Sequence, residues 1–186
     1  MKNDFAPINN LPSEVFSLIP KDWEIDDEDE DLIAMTHVCR RWREVLIAHS
    51  SLWVCLDCTN IDKTRVYIER SKSSPLELSL STTYREDAFL LVVLHISRLD
   101  SLNINGDANL LQNLAPHLSC PTPLLRELVI DIRDNPTPVL EDSLFIGGLS
   151  SLRSLTLDGV TTHLPWKNLS NLTTSANLRI DRKSVV

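Results

Sequence analysis

The chain has 186 residues and a formal net charge of −8, with 18 basic side chains, 26 acidic side chains and only four glycines. Eight of the acids lie within residues 22–31, so the rest of the chain carries 18 acidic and 18 basic residues. That near-neutral remainder argues against nucleic-acid binding, which needs a basic face to replace counterions around phosphate. No apolar run approaches the roughly 18 residues that span a bilayer, so we expect no membrane partner.

The N-terminus and the cysteines predict an intracellular protein. The first ten residues lack the basic flank and the apolar core of a signal peptide. Cys39, Cys55, Cys58 and Cys120 are therefore expected to be reduced thiols, not disulfides. We expect a cytoplasmic or nuclear location.

A first helix is predicted directly after Leu11 and Pro12. Ser13 is expected to be its N-cap, and the apolar spacing of the next residues gives the helix one apolar face. Pro20 ends the helix.

Two further short helices are predicted after an acidic loop. This loop, residues 22–31, has few residues able to bury surface, so we expect it to be mobile and dispensable for folding. The apolar period from Leu32 to Val38 predicts the second helix, and it continues to Ile47 with Val45 and Leu46 facing inward. Because so small a bundle has a marginal core, we expect it to pack against a neighbouring unit.

From Leu52 onward, a short strand signal recurs. The apolar-x-apolar pairs are Leu56/Cys58, Leu78/Leu80, Leu102/Ile104, Leu128/Ile130, Leu155/Leu157 and Leu178/Ile180. They follow one another at steps of 22, 24, 26, 27 and 23 residues, and in three copies a further leucine, Leu99, Leu125 or Leu152, stands three positions earlier. This spacing is typical of leucine-rich repeats.

Segments with helical apolar spacing lie between these strand signals. They include Ala88 to Ile96, Leu110 to Leu114, and the pair Leu140 and Leu144. Each repeat would then hold a strand, a turn and a helix, and stacking of the repeats would bury the core. The predicted class is therefore α/β, with parallel strands.

Three motifs stand in order in the first part of the chain. Residues 11–16 read LPSEVF, residues 32–43 read LIAMTHVCRRWR, and residues 50–53 read SSLW. They resemble the F-box-like domain abundant in mushroom-forming fungi, and residues 67–80 are similar to the segment that follows it there. The resemblance implies a three-helix F-box-like unit followed by a short leucine-rich-repeat-like solenoid.

The implied domains cover almost the whole chain. They are an N-terminal tail at 1–8, the F-box-like domain at 9–53, the repeat region at 54–181 and a tail at 182–186. The asparagine that usually follows a repeat strand is replaced by Asp107, Arg133 and Val160. We therefore expect irregular repeats.

The resemblance also implies partners. In the family, the F-box docks on the Skp-type adaptor of a cullin-RING ubiquitin ligase, and the repeats capture the protein to be ubiquitinated. A docking helix is anchored by apolar residues at helical spacing. The expected adaptor-binding residues are Leu11, Pro12, Val15, Phe16 and Ile19; for the last three, packing inside the helical unit remains an open alternative.

The target would be captured by residues that alternate with the strand core and point away from it. Three rows are assigned to this role: Ser101, Glu127 and Ser154; Asn103, Val129 and Thr156; Asn105, Asp131 and Asp158. Their carboxylates favour a basic or polar protein segment. A merely solvated face is the open alternative.

No catalytic, metal or cofactor site is predicted. Cys55 and Cys58 have C-x-x-C spacing, but a strand would place them on opposite faces. The sequence contains no G-x-S-x-G, H-E-x-x-H or phosphate-binding glycine loop. We therefore predict a non-enzyme. Two alternatives to the ligase function stay open: an interaction scaffold whose F-box-like unit only caps the repeats, and a truncated fragment without function.

Overall fold

A computed structural model describes residues 11–16, 30–134, 138–140 and 150–162. Within these ranges the chain has a mixed α/β fold with a five-stranded parallel sheet. No helix among them is long and apolar enough to cross a membrane. The predictions that lie outside the described residues concern the two tails, Ile19, residues 22–29 of the acidic loop, Leu144 and the strand signal at Leu178/Ile180.

Within the described ranges, three helices precede the sheet. They are α1 (Ser13–Phe16), α2 (Glu30–Met35) and α3 (Arg40–Ala48), followed by a 3-10 turn at Ser50–Leu52. Ser13 is the first helical residue and not the cap that precedes the helix. The predicted acidic loop is also too long, because Glu30 and Asp31 belong to α2.

The predicted helical continuity through Val38 is wrong. Thr36 closes α2, because its backbone N–H and its Oγ1 both donate to the carbonyl of Ile33, at 3.0 and 2.7 Å. From α3, Arg43 Nε donates to the Thr36 carbonyl at 3.0 Å. Val38 therefore lies in a turn, with its side chain 58% exposed.

Short strands alternate with helices in the rest of the described chain. The strands are β1 (Cys55–Leu56), β2 (Leu76–Leu80), β3 (Leu99–Gly106), β4 (Glu127–Ile132), β5 (Val139–Leu140), β6 (Ser154–Asp158) and β7 (Thr161–Thr162). The helices are α4 (Ile61–Ser71), α5 (Glu86–Val93) and α6 (Ala108–Leu114), with a 3-10 turn at Ile96–Arg98. The five-stranded sheet has the order β1-β2-β3-β4-β6.

The strand register confirms the predicted core. Leu102 lies opposite Leu128, and Leu128 lies opposite Leu155, in parallel pairs. The preceding leucines are buried too. The nine predicted positions that are buried are Leu99, Leu102, Ile104, Leu125, Leu128, Ile130, Leu152, Leu155 and Leu157.

Two helices in this region begin at side-chain caps. Asn60 Oδ1 accepts from the backbone N–H groups of Asp62 and Lys63, at 2.9 and 3.1 Å, at the start of α4. Asp107 Oδ1 accepts from the N–H of Leu110 at 2.8 Å at the start of α6. Asp107, which replaces the usual repeat asparagine, thus satisfies the backbone of a helix.

The predicted helical segment at Leu140 is wrong. Leu140 lies in β5 and pairs with Thr162 of β7 in a separate two-stranded sheet. The carbonyl of Pro138 accepts from Thr161 N–H at 2.9 Å. Pro138 fixes its own φ and has no N–H to donate. The chain therefore enters Leu140 in an extended conformation.

One hydrophobic core joins the helices to the sheet. Leu32, Met35 and Leu46 are buried in the same cluster as the leucines of the strands. Trp53 is fully buried between the two parts. The expectation that the small helical unit packs against its neighbour is confirmed.

Candidate protein-binding surfaces

Four of the five residues predicted to bind an adaptor are described: Leu11 and Pro12 precede α1, and Val15 and Phe16 belong to it. Pro12 is exposed, Leu11 is half-buried and Val15 is 46% exposed. We call these three residues the N-terminal surface. Phe16 is the last residue of α1, although its side chain is outside the described set. The exposure of Val15 favours its role as a contact residue over core packing.

A contact from α3 positions the N-terminal surface. Arg41 Nη2 donates a hydrogen bond to the backbone carbonyl of Leu11. The neighbouring arginines have other partners: Arg40 pairs with Glu44 at 2.8 Å, and Arg43 donates to Thr36. Arg41 thus links the residues before α1 to a helix 30 positions away in sequence. Sequence patterns mark Arg41 only as a basic helix residue, so this link was missed.

The residues predicted to capture a target lie in register on one side of the sheet, which we call the strand face. Along its first row, Cys55, Glu77, Ser101, Glu127 and Ser154 are direct neighbours on successive strands. All five side chains are exposed or half-buried. Two hydrogen bonds run along the row, from Cys55 Sγ to Glu77 Oε2 and from Ser101 Oγ to Glu127 Oε2, each 3.3 Å long.

Two further rows follow in the same register. The middle row contains Ser79, Asn103, Val129 and Thr156, and the last row contains Asn105, Asp131 and Asp158. The structure therefore brings together all nine residues assigned to target capture. Each of them is at least partly accessible to solvent.

One charged residue at the last row was missed. Arg133 Nη2 lies 3.0 Å from Asp131 Oδ2. The hydrogen bond that Arg133 donates to Asp131, the negative charge of Asp131 and the charge of Asp158 together raise the pKa of Arg133. The last row is thus less acidic than its carboxylates alone suggest. Position 133 could be recognised in the sequence only as a departure from the repeat asparagine.

The two cysteines of the C-x-x-C pair point in opposite directions, as predicted. Cys55 is exposed on β1, whereas Cys58 is fully buried. Cys58 nevertheless lies beyond the two-residue strand, with a positive φ of 58°. Burial raises the pKa of the Cys58 thiol to about 12, and the charge of Asp57 adds to this effect. Within the described ranges, no group of three or more His, Cys, Asp or Glu side chains is placed to hold a metal ion.

Asp57, beside this cysteine, is held by a local network. Its burial would raise its pKa, but hydrogen bonds from Lys63 and Thr59 and the charge of Lys63 lower it overall. Lys63 Nζ lies 2.8 Å from Asp57 Oδ2. This carboxylate therefore serves the turn after β1 and is not available to a ligand.

Trp53 fixes the junction between the helices and the sheet. Its Nε1 donates to the Leu46 carbonyl at 2.9 Å. Its ring lies edge-on to Tyr67, with 5.1 Å between centroids, and the guanidinium of Arg70 is 4.4 Å from its ring centre. Burial lowers the pKa of Arg70. The indole is thus a structural element of the junction and not an exposed platform for a ligand.

Comparisons with known proteins found no match: no protein-family model, no curated protein and no solved structure is similar to this chain. Its function is therefore inferred from the two surfaces.

Proposed function

We propose that the chain is the substrate-recognition subunit of a ubiquitin ligase of the Skp-cullin-F-box type. In this proposal α1 to α3 form an F-box-like unit that binds the Skp-type adaptor. The strands and helices that follow form a short leucine-rich-repeat-like solenoid that binds the target protein. The chain itself is not an enzyme and needs no cofactor.

The observation that carries the proposal is the exposure of apolar residues at the start of α1. Pro12 and Val15 are accessible to solvent, whereas residues that belonged to the core would be buried. Arg41 holds the adjoining backbone at Leu11. A preordered apolar segment binds a partner with less loss of conformational entropy than a free one does.

Holding two partners at once gives the proposal a mechanism that needs no bond-making side chain. An adaptor on the N-terminal surface and a target on the strand face would be tethered to each other through the same chain. Tethering turns a bimolecular encounter into an intramolecular one and raises the effective concentration of the target at the ligase.

Capture by a purified Skp-type adaptor tests this proposal. We expect the wild-type chain to bind the adaptor at micromolar concentration, and the double variant Leu11→Ala/Pro12→Ala to bind at least about ten-fold more weakly, as when central apolar contacts are truncated. The matched control is Leu94→Ser, which removes an apolar side chain that is 78% exposed outside the helical unit. Absence of wild-type binding, or equal losses in both variants, would contradict adaptor docking.

A scaffold that binds no ligase is the second candidate. The Trp53 junction favours it, because the helical unit covers the first repeat as a terminal cap would. The same experiment separates the two candidates. A scaffold would leave the adaptor unbound while the strand face still bound a protein segment.

A further inference from the structure

The middle row of the strand face carries no charge. Ser79, Asn103, Val129 and Thr156 are aligned across four strands. The side chains of Ser79, Asn103 and Thr156 make no hydrogen bond to another residue of the described chain. Hydrogen-bonding groups are thus available across the sheet, where neighbouring strands are about 4.8 Å apart.

Carboxylates flank this uncharged row on both sides. Glu77 and Glu127 lie in the first row, two residues before the middle row, and Asp131 and Asp158 lie in the last row, two residues after it. Two residues along a strand correspond to about 6.6 Å. The face therefore has a neutral path across the strands between two lines of negative charge.

We propose that the strand face binds an extended basic segment of the target protein, which crosses the strands from β2 to β6 over the middle row. This inference deepens the proposed function and rests on it. Successive residues of an extended segment point to opposite sides. Arginine or lysine side chains can thus reach carboxylates in both flanking rows. The three strand spacings from β2 to β6 amount to about 14 Å, or about four extended residues.

Arg133 occupies part of this site in the unbound protein. Its guanidinium lies beside Asp131 and within the field of Asp158, and its side chain is 75% exposed. An incoming basic side chain would replace that exposed pair, which is itself only weakly stabilising. Arg133→Gln should therefore strengthen binding of a basic segment. Arg85→Gln is its matched control, because Arg85 is also an exposed arginine paired with a carboxylate, Asp87, in another part of the chain.

The probe is a short synthetic peptide with about four consecutive arginines flanked by serines, so that its arginines point to both sides, titrated against the full chain at low salt by calorimetry. We expect Glu77→Gln and Asp158→Asn each to weaken its affinity about two- to five-fold, since each removes one solvent-exposed charge pair. Glu69→Gln, which neutralises an exposed carboxylate on α4, should leave the affinity unchanged. A peptide with the same composition but with arginine and serine alternating should bind more weakly, because all its arginines point to one side and reach only one flanking row.

Three results would overturn the inference. An affinity that is unchanged in Glu77→Gln but lowered in Asp158→Asn would show that the segment does not cross the sheet. Equal effects of the strand-face and α4 variants would indicate attraction to net charge alone. Absence of peptide binding would remove the site. Because adaptor capture is measured separately on the same variants, failure of the peptide site and failure of the ligase proposal remain distinguishable.

Discussion

Cys58 combines three unusual features at one position: it is fully buried, its φ is positive and its thiol pKa is strongly raised. A positive φ is disfavoured for a residue with a side chain, so the surroundings must hold it there. The Cys58 carbonyl accepts from the N–H of Arg85 at 2.8 Å, which ties this turn to the start of α5. Its side chain meanwhile fills the core beyond the end of β1.

The buried thiol predicts a dependence of stability on pH. Because the folded state favours the neutral thiol, its contribution is fully present below the ordinary pKa of 9.0 and is lost as the pH rises toward about 12. We expect the free energy of unfolding to fall across this window less steeply in Cys58→Ala than in the wild type. Denaturant titrations below and inside the window measure this difference.

Thiol labelling provides an independent check at the same residue. In the native protein an alkylating reagent should modify Cys55, which is exposed, and leave Cys58 unmodified until the chain unfolds. Rapid native labelling of Cys58, or parallel pH profiles for wild type and Cys58→Ala, would contradict its burial.

At the scale of the elements, the strands owe their positions to single leucines that recur on successive strands. Leu128 is buried between Leu102 and Leu155. We expect Leu128→Ala to lower the free energy of unfolding by about 2 to 5 kcal/mol, as for other large-to-small core changes. The matched control on the same strand is Val129→Ala. Because the side chain of Val129 is half-exposed, this substitution should change the free energy of unfolding by no more than about 0.5 kcal/mol. A thermal midpoint that moved equally in both variants would mean that the register is wrong.

The repeat pattern predicted these strands because local chemistry determines them. An apolar-x-apolar pair needs one buried side of a sheet, and its recurrence at similar spacing brings copies such as Leu102, Leu128 and Leu155 into line. The same reasoning missed β5 and β7, because neither of these strands contains the apolar-x-apolar pair. It also extended β1 to Cys58, because Cys58 is buried like a core residue of a strand although it lies beyond the end of β1.

The candidate sites could be predicted only in part. The rows of the strand face follow from alternation along each strand, so the sequence was sufficient to place them. Contacts between distant segments produce no comparable pattern in the sequence. The bond from Arg41 to the Leu11 carbonyl depends on how α3 packs, and the position of Arg133 beside Asp131 depends on the path of a turn.

At the scale of the molecule, one continuous core joins the helical unit to the strands that carry the strand face. Trp53 connects them through Leu46 on the helical side and Tyr67 on the repeat side. Ser50 Oγ and Ser74 Oγ add a hydrogen bond of 2.8 Å across the same junction. A shared core predicts that the helical unit keeps a fixed position relative to the first repeat, so that two bound partners are held at a constant distance.

The central claim is that this chain bridges an adaptor and a basic target segment. The most direct measurement captures the wild-type chain on immobilised Skp-type adaptor and then titrates the peptide of consecutive arginines flanked by serines over that surface. We predict that one peptide binds per captured chain. Its affinity should equal the affinity measured for the free protein, because the N-terminal surface and the strand face share no residues. Failure of the adaptor to capture the chain, or release of the chain by the peptide, would contradict bridging.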